Sequence, residues 1–127
     1  MPVRVASRDE IPAQDLPGRT LQWLVTPETL GVEKLGIAIM DCPAGSTVRP
    51  LHSHVDTEEV LLILDGEGEA WVDGETATFK KGDAVLLPAN SKHMVRNTGG
   101  GPLITASIFS PPTTPDSYRL FDEPEGW

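Results

Sequence analysis

The chain has 127 residues, 39% hydrophobic and 23% charged, with 19 acidic against 10 basic side chains for a net charge of −9. That length suits one domain with a real core and excludes two independent ones, and the balance is that of a globular protein, neither disordered nor membrane-spanning. No basic run is longer than Lys80-Lys81, so phosphate backbones and anionic lipid are repelled, and neither nucleic acid nor membrane is expected as a partner.

The first residues, MPVRVASRDEIPAQ, lack the apolar core of a signal peptide, and no run approaches the roughly 20 apolar residues that cross a bilayer, so the expected location is the cytoplasm. Residues 1–18 are polar and broken by Pro2, Pro12 and Pro17, which reads as an irregular N-terminal arm. From Arg19 the texture changes. RTLQWLV (19–25), KLGIAIMDC (34–42), EVLLILDG (59–66), GEAWVDG (68–74), ETATFKKG (75–82), DAVLLP (83–88), HMVRN (93–97) and PLITASIF (102–109) are short runs rich in Val, Ile, Leu, Thr and aromatics. Each is closed by Gly, Pro, Asp or Asn, the pattern of strands joined by tight turns. Asp73-Gly74 is the clearest hairpin turn, because Asp-Gly tolerates the positive φ angles such a turn requires.

Only PETLGVEKLG (27–36) offers a helix, and Gly31 and Gly36 weaken it by about 1 kcal/mol each relative to alanine. Cys42 is the sole cysteine, which excludes a disulfide framework and a cysteine-rich zinc site; it reads as a small buried apolar residue. The domain plan is therefore an arm (1–18), an all-β barrel or sandwich (19–110) and a proline-rich acidic tail (111–127). In the tail, Tyr118, Leu120, Phe121 and Trp127 are possible anchors onto the barrel or a second subunit.

Two of the three histidines stand in LHSHVDTEEVLLILDG, residues 51–66. Side chains two apart on a strand share a face, so His52 and His54 present their imidazoles to the same side. Glu58 or Glu59 follows where the next apolar strand begins, and the third histidine, His93, opens another strand. If the sheet curls, all of them converge, and three neutral imidazoles with one carboxylate suit divalent Mn, Fe, Co, Ni, Cu or Zn.

The spacing of these residues resembles the cupin superfamily, small β-barrels carrying two short motifs. Gly45, His52, His54, Glu59 and Gly66 follow the first, G-x5-H-x-H-x3,4-E-x6-G, with Gly45 one residue further from His52 than the pattern asks. Gly82, Pro88, His93 and Asn97 follow the second, G-x5-P-x-G-x2-H-x3-N, with Asn90 in place of its central glycine. The resemblance covers residues 34–110 and implies a double-stranded β-helix, or jelly-roll, barrel in which His52, His54, Glu59 and His93 hold a divalent transition metal such as Mn, Fe, Ni or Zn. The distance to Gly66 selects Glu59 over Glu58.

Four protein ligands on a six-coordinate ion leave two positions for a substrate or dioxygen. The resemblance therefore implies a homodimeric metal enzyme acting on a small organic molecule, by dioxygenation or by isomerase, lyase or decarboxylase chemistry, with Glu59 also as a catalytic base. A non-catalytic barrel that binds or senses a small molecule, the metal anchoring the ligand, is the alternative. Trp23, Met40, Trp71, Thr105, Ser107 and Phe109 are expected to line the cavity. Strand parity turns Arg49 away from the metal, Leu61 and Ile63 inward, and Val60, Leu62 and Leu64 outward.

Overall fold

A computed structural model describes residues 2–127. Eleven strands form it: β1 (Gln14–Leu16), β2 (Arg19–Val25), β3 (Gly36–Cys42), β4 (Thr47–His54), β5 (Glu58–Asp65), β6 (Glu67–Val72), β7 (Glu75–Lys80), β8 (Ala84–Leu87), β9 (His93–Asn97), β10 (Leu103–Ser110) and β11 (Tyr118–Phe121). They pair antiparallel in two sheets, ordered β1-β2-β3-β10-β5-β8 and β11-β4-β9-β6-β7. The architecture is the all-β jelly roll expected from the sequence. The eight apolar runs are strands whose ends lie within two residues of those read from composition. The arm also contributes β1 and the tail β11, neither of which the sequence announced.

Between the sheets lies the core, built from Ala38, Met40 and Cys42 of β3, Leu61 and Ile63 of β5, Ala70, Phe79 and Val95 of the second sheet, and Leu103 and Phe109 of β10. Period two alone sorts β5: Glu59, Leu61 and Ile63 are buried while Val60 and Leu62 are half-buried and Leu64 is exposed. Each large aliphatic side chain moved from water into this core contributes roughly 1.5–3 kcal/mol.

The expected hairpin turn joins β6 to β7, with φ of 47° at Asp73 and 94° at Gly74. The proposed helix shrinks to a single turn, α1 (Pro27–Leu30). Thr26 caps it, its hydroxyl accepting from the Thr29 backbone N–H at 3.0 Å, and Gly31 ends it at φ 73°. No described helix is long and apolar enough to cross a membrane.

The tail runs back along the second sheet. In register, Tyr118 stands opposite His54 and Leu120 opposite His52. Lys92 lies over the Phe121 ring at 4.3 Å and Arg96 over Trp127 at 4.0 Å. Arg49 points to this segment, forming an ion pair with Glu123 and donating from Nη2 to the Trp127 carbonyl at 2.9 Å.

Candidate metal centre

The β4–β9 ladder sets the first two imidazoles. Val48 pairs with Val95 and His52 with His93, so four steps along β4 match two along β9. The bulge between them contains Pro50, which has no N–H to give a ladder. Its even spacing keeps Val48 and His52 on the inner face, and His52 arrives directly across from His93. His54 follows two residues later, and Glu59 reaches in from β5 of the opposite sheet.

Two loops are fixed at this end of the barrel by Asn90, the residue that stands in for the motif's glycine. It adopts φ 66°, a left-handed conformation that Asn tolerates better than most residues. Its backbone N–H donates to the His54 carbonyl at 3.0 Å, and its Oδ1 accepts from the Asp56 backbone at 3.0 Å. The turn before His93 is thereby tied to the turn after His54. Asn does more here than glycine could.

All three histidines are buried, their candidate ligand atoms lying within 4.8 Å of one another. His54 Nε2 is 3.2 Å and His93 Nε2 3.5 Å from Glu59 Oε1. The opposite nitrogens face protein. His52 Nδ1 lies 2.9 Å from the Pro50 carbonyl, His93 Nδ1 3.2 Å from the Ser91 carbonyl, and His54 Nδ1 3.5 Å from the Thr113 hydroxyl. A carbonyl only accepts, so the Nδ1 of His52 and of His93 carries the proton and, in the neutral ring, Nε2 carries a lone pair.

Both rings are held neutral at pH 7. Burial, reinforced by the neighbouring His93, lowers His52 to about 3. Burial also lowers His93, outweighing the pull of Glu59. For Glu59 burial acts upward, but His54, His93 and the Ser107 hydroxyl together hold the carboxyl below its ordinary value. An anionic carboxylate therefore faces a neutral imidazole lone pair, two acceptors with no proton to share. Glu59 Oε1 and His93 Nε2 are indeed buried without a hydrogen-bond partner. Buried acceptors without partners are costly, and a cation between them satisfies both; the N/O donor set fits a divalent transition metal.

The atoms face a chamber of about 50 Å³, walled by Trp23, Met40, Ser107 and Phe109 among those expected. Thr105 is fully buried but off the chamber wall. Trp71 does not line it either: it pairs with Met94 in β6–β9, on the sheet face opposite Ala70 and Val95, because strand parity turns it outward.

Besides apolar residues such as Leu21, Val48 and Leu87, two polar wall residues were not foreseen as such. Arg19 opens β2, and Tyr118 comes from β11, its ring 4.5 Å from that of His54 and 5.8 Å from that of His52. Burial and the Glu59 carboxylate push the Tyr118 phenol up to about 12, so it keeps its proton. The one available signal was Tyr-Arg-Leu-Phe after Pro-Asp-Ser, a short strand pattern behind a turn.

Two antiparallel sheets enclosing a histidine-lined chamber define a jelly-roll barrel of the cupin class. The family model described as "Cupin domain" matches residues 38–109, more than half of the chain, and the chain belongs to that family. An uncharacterized protein of Methanocaldococcus jannaschii is 30% identical over 105 residues, 83% of this chain and 83% of its own. The polyketide synthase CurC of Streptomyces cyaneus is 32% identical over 98 residues, 76% of this chain, which spans 62% of that protein. Among solved structures, a predicted oxalate decarboxylase from Thermotoga maritima superposes with a TM-score of 0.73 at 26% identity, covering 84% of this chain and 97% of its own.

Proposed function

We propose that this cupin is a metal-dependent enzyme acting on a small organic molecule, with His52, His54, His93 and Glu59 holding a divalent Mn, Fe, Ni or Zn ion. The observation that carries the reading is the pair of buried, unpartnered acceptors, Glu59 Oε1 and His93 Nε2, facing each other across the chamber. When bound, such an ion supplies Lewis-acid polarisation of a substrate oxygen, and redox chemistry where it is Fe or Mn.

The remaining work falls to the chain. The Pro50 and Ser91 carbonyls fix the His52 and His93 rings through their Nδ1 hydrogens, which sets their orientation and raises their basicity. Glu59, displaced toward the substrate, is the base that takes a proton from the carbon beside a polarised carbonyl, the electron pair moving onto the carbonyl oxygen. Tyr118 keeps a phenolic proton on the same wall and hydrogen-bonds the oxygen as negative charge develops there. The apolar surround of Leu61, Leu87 and Val95 excludes bulk water. A base and a protonated phenol in one chamber favour proton-transfer chemistry of the isomerase, lyase or decarboxylase kind over oxygenation.

The test is elemental analysis of untagged protein, followed by a substrate screen of hydroxy acids, diketones, catechols and keto sugars with and without oxygen. Near-stoichiometric metal, lost in His52→Ala and His93→Ala, is expected, with turnover that needs no oxygen and disappears in Glu59→Gln. Wild type that cannot be loaded with metal overturns the reading. Turnover with matching oxygen uptake replaces it with dioxygenation, and saturable binding without turnover replaces it with a binding module.

A further inference from the structure

The metal chamber is not the whole cavity. A second space of about 750 Å³ lies outside it, between the β1–β2 hairpin, α1 and the tail. Arg19, Leu21, Trp23, Phe109 and Tyr118 line both, so these five residues are the shared boundary, or neck, between them.

The two volumes divide a substrate unequally. The inner chamber, about 50 Å³, has room for a few water-sized groups at roughly 10–15 Å³ each. A few heavy atoms at the reacting end of a substrate fit there, and the body of an extended one does not. The outer space lies within the roughly 300–1,000 Å³ of sites that enclose drug-sized ligands. Its walls include Leu16, Val25, Pro112 and Pro115 besides the neck residues, which reward apolar and aromatic surface.

Polar groups also line the outer space, among them Gln14, Glu28, Arg49, Thr113 and Thr114, but at the neck they are Arg19 and Tyr118. Arg19 donates from Nη1 to the carbonyls of Pro17 at 3.0 Å and Arg49 at 2.8 Å, and no carboxylate pairs with it among the described residues. Arg49 and Arg96, in the same chain, take Glu123 and Glu69 as counterions. With 19 acidic side chains against 10 basic ones, a half-buried arginine left without an anion marks a place where an anion is brought from outside. The Tyr118 hydroxyl, on the same neck, has no hydrogen bond among the described residues either and offers a second donor.

We propose that Arg19 is the anion subsite of this active site, and that the substrate is an extended, largely apolar or aromatic molecule carrying an anionic oxygen group. Its body fills the outer space, its anion meets Arg19 in the neck, and only its reacting end enters the metal chamber. Small dianions such as oxalate leave the outer space unfilled and are poor ligands. The assignment of the reacting end rests on the metal reading above; the anion subsite does not.

Calorimetric titration with three probes tests the two readings separately. The probes are 2-naphthoate, neutral 2-naphthamide and oxalate, on wild type, Arg19→Gln and Arg19→Lys, each metal-free and after loading with Mn²⁺, Fe²⁺, Ni²⁺ or Zn²⁺. Metal-free wild type is expected to prefer 2-naphthoate to both other probes by about tenfold or more. Arg19→Gln abolishes the preference over 2-naphthamide without changing 2-naphthamide affinity or metal content, and Arg19→Lys restores most of it. Tighter oxalate binding, no preference for the anion in wild type, or equal weakening of both naphthyl probes in Arg19→Gln overturns the proposal. If Arg19→Gln does not fold, loss of the preference in folded Arg19→Lys overturns it and retention supports it. Failure of Mn²⁺, Fe²⁺, Ni²⁺ and Zn²⁺ alike to load defeats the metal reading alone, since the anion preference is measured without metal.

Discussion

The two ends of β9 carry buried polar side chains of equal exposure, 3% for His93 and 3% for Asn97, and the fold treats them in opposite ways. Asn97 is saturated: Nδ2 donates to the Cys42 carbonyl at 2.9 Å and the Gly101 carbonyl at 2.8 Å, while Oδ1 accepts from the Gly99 backbone at 2.8 Å. It staples β3, β9 and the following loop at the end of β9 away from His93. His93 has the Ser91 carbonyl behind it and no hydrogen-bond partner in front, where Glu59 Oε1, 3.5 Å away, also lacks one. The same strand satisfies its amide completely and leaves its imidazole open. Open lone pairs at one end, beside a fully paired end, point to a partner that the polypeptide does not provide.

The largest expected effect is on pH dependence, which only the histidine end should carry. An imidazole in the unfolded chain takes a proton near pH 6.5, whereas burial keeps folded His52 unprotonated down to about 3. Between those values the unfolded chain binds more protons, so the metal-free protein loses stability as pH falls and regains it as pH rises. Glu59, held below its ordinary value, adds a loss of the same sign on further acidification. At about 1.4 kcal/mol per pH unit of displacement, the effect amounts to several kcal/mol. Urea titrations from pH 7.5 to 4 should show it, and His52→Leu should make the profile between pH 6.5 and 5 shallower, the lowered His93 carrying the remainder. A wild-type profile already flat there contradicts the neutral, buried imidazole.

Asn97→Leu and His93→Leu sharpen the contrast at a single pH. The first strands three backbone partners and is expected to cost about 2–4 kcal/mol at every pH. The second exchanges a partly orphaned ring for an apolar group of similar size, so metal-free stability at pH 7.5 should hold or rise while metal binding disappears. Equal destabilisation by both, in urea unfolding of metal-free protein, would show that the two ends are built alike.

How far the sequence disclosed this arrangement depended on how local the determining contacts are. His52 and His54 share a face because they are two apart, and the same alternation sorted Glu59, Leu61 and Ile63 inward; both follow from strand geometry. Family spacing joined His93 to them and tolerated Asn90, whose side chain proves to bond the facing loop. Arg19 and Tyr118 stayed hidden because remote pairings deliver them: Tyr118 faces His54 only once β11 docks on β4. A proline-rich acidic composition masked that four-residue strand. The first half of β4 was obscured by Pro50 and by a bulge that no local pattern encodes. Trp71 looked like cavity wall by hydrophobicity, but its parity sends it outward.

The smallest expected effect discriminates two adjacent carboxylates. Glu58 and Glu59 are neighbours at the start of β5, and strand alternation sends them to opposite faces: Glu58 is exposed opposite Ser110, Glu59 buried opposite Phe109 and Leu87. Glu58→Gln removes a solvated charge with no partner in the chamber, so it should change stability by less than about 0.5 kcal/mol and leave metal content and the acid-side pH profile as they are. Glu59→Gln is close to isosteric but takes away the only carboxylate among the chamber's wall residues, and it should weaken metal retention severely. Metal analysis of the two variants side by side separates them. Comparable loss of metal in both would mean that β5 enters the barrel one residue out of the register described here, since a one-residue slip exchanges the two faces of a strand.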